Sequence, residues 1–164
     1  MDPVLQWLYD MPFSAAIRED AFLFPFLESI HVLAIALVVG SISIVDFRLL
    51  GIASKGRPIT ELTQVVLPIT WAAFAAAAIA GALLFSSNAV KYAHNAFFIA
   101  KMALLLLAFA NMLVFHAITL RGIHDWDRTK MPPWPVRAAG GLSLLIWAGV
   151  VACGRWIGFT INSL

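Results

Sequence analysis

The stretch Trp71-Ala-Ala-Phe-Ala-Ala-Ala-Ala-Ile-Ala-Gly-Ala-Leu-Leu84 carries no charged or hydrogen-bonding group apart from one indole. A segment that is apolar all round belongs in a very large core or in a bilayer, and a chain of 164 residues cannot build the former. Four stretches lack Asp, Glu, Lys and Arg altogether: Ser29 to Val45, Leu62 to Val90, Met102 to Leu120 and Ala138 to Gly154. Each approaches or exceeds the roughly 20 apolar residues that cross a bilayer as a helix. A β-barrel needs apolar/polar alternation over about ten residues, and none is present. The expected fold is therefore all-α: a single transmembrane domain over 1–164, an integral membrane four-helix bundle with helices near 24–48, 65–87, 96–121 and 136–160.

Composition agrees. At 62% hydrophobic, 12% charged and a mean hydropathy of +0.89, the chain is neither a soluble domain nor disordered. Its 11 Lys+Arg against 9 Asp+Glu are dispersed over short segments, which excludes nucleic-acid binding. The single cysteine, Cys153, lies in an apolar run, so no intrachain disulfide forms, and it reads as a small packing residue.

The first twenty residues lack a basic leader and read as an N-terminal interfacial helix, with Asp2 as cap, Pro3 at the first helical position, and Leu5, Trp7, Leu8 and Phe13 for the headgroup layer. Met131-Pro-Pro-Trp-Pro135 is a rigid break, and Trp126 and Trp134 suit a membrane interface. Loops one and three carry Arg48, Lys55, Arg57, Arg121, Arg128, Lys130 and Arg137, against Arg18 and Lys91 on the other side. Seven against two puts both termini outside a cell membrane, with a bacterial inner membrane as the expected location.

An ionisable group inside a bilayer is costly enough to mark a functional site. His31, Lys101 and Arg155 fall on three different helices at a similar depth of roughly 8–11 Å from one membrane face. Glu28, three residues before His31, shares its helix face. His94, Lys101, Met112 and His116 lie within about 60° of one another if one helix carries them all. Gly81 and the glycines of helix four allow close approach of a helix or of a flat cofactor.

Simpler roles compete for several of these residues. Lys101 and Arg155 can snorkel, Asp46 and Arg48 can form an interfacial ion pair, and Gly154-x-x-x-Gly158 can serve helix packing. Asn111 and Thr70 read as interhelical hydrogen bonds, His116 as a bonded core histidine, and His124 as solvated beside Asp125. His31, among apolar neighbours, most needs a partner. Haem in a helix bundle takes imidazoles from facing helices and cations for its propionates. His31 with His94 as metal ligands, and Lys101 and Arg155 as propionate partners, fit that pattern. His116 would have to serve a second haem, and without Cys-x-x-Cys-His the haem would be b-type.

The segment Glu28-Ser-Ile-His31-Val-Leu-Ala-Ile-Ala-Leu-Val-Val-Gly40, running on to Asp46-Phe-Arg48-Leu-Leu-Gly51, resembles the first helix of small, largely uncharacterised four-helix bacterial membrane proteins. More loosely it resembles the HemJ-like and CopD-like groups. The run from Lys101 through its leucines to His116 resembles a later HemJ-like helix. The resemblance implies haem b on His31 and a charged site role for Lys101. Asp46-Phe47 departs from the HemJ-like turn proline, and only Met102 and Met112 lie within spans, where a copper path would repeat Met or Cys. The reading is a b-type cytochrome in transmembrane or quinone-linked electron transfer, with membrane lipid around it and a quinone or an extracytoplasmic redox protein as partner. A homo-oligomer is compatible with it. The alternatives are a HemJ-like protoporphyrinogen oxidase and a copper-handling or structural subunit without catalysis.

Overall fold

The computed structural model describes residues 2–54, 56–118, 123–128 and 131–161; of Ile118, His124 and Asp125 it describes the backbone alone. The described residues are helical with no strand. In order they form α1 (Pro3–Asp10), α2 (Pro12–Glu19), α3 (Leu23–Leu49), α4 (Ile59–Ser87), α5 (Ala89–His94), α6 (Ala96–Ile118), α7 (Ile123–Trp126) and α8 (Trp134–Thr160). Helices α3, α4, α6 and α8 are long and apolar enough to cross a membrane. The protein is thus an integral membrane four-helix bundle that exposes large apolar side chains such as Leu33, Leu106 and Leu145 to lipid.

The four long helices run alternately up and down. α3 packs along α4, α6 along α8, and α3 against α8 joins the two pairs. Buried positions recur at helical spacing: Ala34 and Val38 on α3, Ala73, Ala77, Ala80 and Leu84 on α4, and Gly140, Trp147 and Val150 on α8. Mid-bundle, Val38, Ala73, Ile146, Trp147 and Val150 meet as one core. The expected interhelical bonds are present: the Ser41 and Thr70 hydroxyls are hydrogen-bonded at 2.7 Å, and the Asn111 amide donates to the Ala139 carbonyl at 3.1 Å.

Several boundaries move. The second long helix begins at Ile59 rather than near 65, because Pro58 starts it and Glu61 in its first turn favours the positive helix end. The expected end of the third span at 121 lies outside the described residues. The interfacial segment is two helices, since Pro12 starts a new one; Asp2 caps the first by accepting from the Val4 amide at 3.0 Å. This hairpin is docked on the bundle. Arg18 lies over the Tyr9 ring at 3.9 Å and donates to the Ser87 carbonyl at 3.1 Å, which caps the C-terminus of α4.

The end of the bundle where α3 starts is called the near end below; the other is the far end. At the far end α3 closes in a Schellman turn, with Gly51 at φ 72° and its amide on the Arg48 carbonyl. Arg48 is 0% exposed. Its guanidinium donates to the carbonyls of Arg57 and Asp127 at 2.9 and 3.0 Å, tying two loops to α3 instead of forming the expected ion pair with Asp46. Asp127 in turn accepts from the Thr60 amide and hydroxyl and so caps α4. Trp126 is not interfacial. At 5% exposure it plugs a core with Leu49, Ile59 and Val136, whereas Trp134, 76% exposed, suits the interface.

Candidate intramembrane site

His31 sits two turns into α3 and turns its ring onto α4. Its Nδ1 lies 2.8 Å from the Ala77 carbonyl oxygen, a bond in which the imidazole donates. The ring occupies the notch left by Gly81: a Cβ there would stand 2.8 Å from Cε1 and 3.3 Å from Nδ1. With Nδ1 protonated and bonded, Nε2 keeps its lone pair, the tautomer that ligates metals or accepts a proton.

Lys101, one turn into α6, is half-buried rather than extended to the surface. Its Nζ lies 3.9 Å from where a Gly154 Cβ would be, near enough to Cys153 and to His31 to interact electrostatically with both. Each of the four long helices therefore supplies one part of a single layer. Tyr92 on α5 and Phe85 and Phe98 from α4 and α6 form a ring cluster at the near end, with centroids 5.2–6.1 Å apart. Burial, and then the charge of Glu28, push the Tyr92 phenol above its ordinary range.

The other expected site residues are placed elsewhere. His94 is not on the helix of Lys101: it ends α5, is exposed, and bonds its own Val90 carbonyl at 2.8 Å. Asn95 causes the break. Its side chain accepts from the Phe97 and Phe98 amides to cap α6, and donates to Thr160 Oγ1 at 2.8 Å. His116 is exposed, bonded to the Met112 carbonyl at 2.9 Å, because Phe115 rather than His116 follows Lys101 and Ala108 along the inner face of α6. Arg155 is exposed and lies over the Phe159 ring at 4.6 Å, one turn nearer the surface, which is the snorkelling geometry. Glu28 is exposed at the rim. No His31–His94 pair is assembled, and among the described residues no three His, Cys, Asp or Glu side chains are grouped to hold a metal ion.

The sequence did not single out Asn95 as a cap, although Asn before an apolar run is a helix-start signal. Nor did it distinguish Gly81 from the small residues around it.

Fold and site thus define a four-helix integral membrane protein with a half-buried histidine and a half-buried lysine among its helices. The chain belongs to the family described as "Family of unknown function (DUF6644)", which matches residues 20–160. The match leaves out only the N-terminal hairpin and the last few residues. No curated protein and no solved structure matches the chain.

Proposed function

We propose that this chain is a membrane-embedded b-type haem protein of an electron-transfer system, in which His31 would hold the haem iron and Lys101 would neutralise a propionate. The carrying observation is the bond from Nδ1 of His31 to the Ala77 carbonyl, which leaves the lone pair of Nε2 unused on a histidine set among apolar helices. Anchoring a ligating histidine through its other nitrogen is the usual support for a metal–imidazole bond. The donor set suits haem with a single histidine and does not suit a bis-histidine haem, since His94 and His116 are turned away.

Haem b, when bound, supplies a one-electron couple. The chain's own contribution is to fix the His31 tautomer through the Ala77 carbonyl and to place positive charge at Lys101. The Lys/Arg asymmetry supports a near end that faces out of the cytoplasm, in reach of an external partner or a lipid-soluble quinone.

The test is the visible spectrum of dithionite-reduced purified protein. A sharp α-band lost in His31→Ala is expected, with Lys101→Met shifting the potential. Colourless wild type from cells supplied with haem overturns the reading.

A second reading is favoured by the lack of another described histidine in the layer: a quinone headgroup bonded between His31 and Lys101. Colourless protein that retains extractable quinone, and loses it in Lys101→Met, would support it. A HemJ-like oxidase would use the same two residues on a porphyrin arriving from the cytoplasm, and reporter fusions that place the near end inside would favour it.

A further inference from the structure

At the far end, away from the His31 layer, Asp46 of α3 is only 4% exposed. Ser143, on the α8 face between Gly140 and Trp147, is near enough to bond its carboxyl. Oδ2 is fully enclosed and has no hydrogen-bond partner among the described residues. The backbones around it leave no space: a Cβ at Gly140 would stand 2.9 Å from Leu49 Cβ and 3.1 Å from the Asp46 carbonyl oxygen. Leu49, Ile59, Trp126 and Val136 pack the same end.

Among the described residues, the charged groups presented by the surrounding elements are directed elsewhere or exposed. Arg48 is directed to the Arg57 and Asp127 carbonyls, and the Asp127 carboxylate to Thr60. Arg57, Glu61, Arg137 and His116 are exposed. An ionised carboxylate without a counter-ion is strongly disfavoured in such a place, whereas a neutral carboxyl is tolerated. One carboxyl and one hydroxyl in a closed crossing make too few oxygens for a metal cation.

We propose that Asp46 is an intramembrane proton-binding site, whose Oδ2 carries a proton in the resting bundle and exchanges it for the carboxylate form. Binding joins one proton to one carboxylate oxygen and release returns it, with no other bond changed. The site is independent of what the His31 layer holds.

The test uses the full chain in membranes. Dicyclohexylcarbodiimide, which is apolar, adds to a protonated carboxyl to give an O-acylisourea that rearranges to a stable N-acylurea, and nothing leaves. Mass spectrometry at neutral pH should place one adduct on Asp46 and none on exposed Glu61 or Asp20. The labelling rate should fall about tenfold per pH unit above the midpoint, with no protection by sodium. The infrared difference between wild type and Asp46→Asn should contain the carbonyl band of a protonated acid at neutral pH. Ser143→Ala, which keeps the carboxyl, should retain both signals and serves in place of Asp46→Asn if that variant does not assemble. Its own difference spectrum against wild type then shifts the band, because a hydroxyl near the carboxyl has been removed. Absence of the acid carbonyl band at neutral pH refutes the proposal whatever the labelling. Sodium protection refutes it in favour of a metal cation.

Discussion

Gly81→Ala is the most informative single substitution. In a generic apolar helix the exchange is neutral or favourable, because alanine is the better helix former by about 1 kcal/mol. Here the new methyl would meet His31 at 2.8 Å from Cε1 and 3.3 Å from Nδ1. Reaching ordinary contact requires the ring to retreat by roughly half an ångström, and close-packed interiors resist such shifts at about 1–3 kcal/mol. The bond from Nδ1 to the Ala77 carbonyl, 2.8 Å long, would then be stretched or lost, at a further cost of about 1 kcal/mol. After offsetting helix propensity, a net loss of about 1–3 kcal/mol is expected.

Thermal or denaturant unfolding in a mild detergent measures it, with Gly158→Ala as the control, since a Cβ there meets nothing within 4 Å. The cycle with His31→Ala isolates the cause. Removing the ring should make Gly81→Ala harmless, giving a coupling energy of about 1–3 kcal/mol. If Gly81→Ala is as stable as Gly158→Ala, or equally damaging without the ring, the placement of His31 on Gly81 is wrong.

Arg48→Met should cost about 3–5 kcal/mol in the same assay, by leaving the Arg57 and Asp127 carbonyls without their charged donor; an unchanged midpoint would refute its tethering role. Asn95→Ala removes the α6 cap and the Thr160 bond, with an expected loss of about 1–2 kcal/mol. Burial pulls the Asp127 carboxyl upward, but its bonds from Thr60 and the Ile59 amide and the charge of Arg128 outweigh it and hold the group below its ordinary value. Its contribution to stability is therefore present above the unfolded-state value near 4 and is lost as pH falls through the folded value; Asp127→Asn should flatten that acid limb of a stability–pH curve. Glu28→Gln should lower the ionisation of Tyr92 toward the range set by burial alone, read by ultraviolet titration in a Tyr9→Phe background, which leaves one tyrosine.

The four membrane-crossing helices, their order and the Asp2–Pro3 helix start follow from the sequence alone, because transfer into lipid and end capping depend on residues adjacent in the chain. The positions of His31 two turns into α3 and Lys101 one turn into α6 follow too, since they are set once each helix start is placed. Rotation about each helix axis and the exact breaks do not follow. A continuous helix aligns His94 with Lys101, but the Asn95 cap breaks that helix between them, a competition between local hydrogen bonding and apolar continuity that a helical wheel does not include. Trp126 matches an interfacial residue by type, but loop three folds it into the core at the far end. Asp46 and Arg48 are two residues apart and of opposite charge, yet the tertiary structure sends the guanidinium to two loop carbonyls and the carboxyl toward α8. Gly81 became distinct from its alanine neighbours only when α3 laid an imidazole on it, a contact between residues fifty positions apart. Apolarity in a bilayer is satisfied on any face of a helix, so hydropathy leaves the rotation of each helix undetermined; the few buried polar groups and notches fix it, and they act only once the helices are side by side.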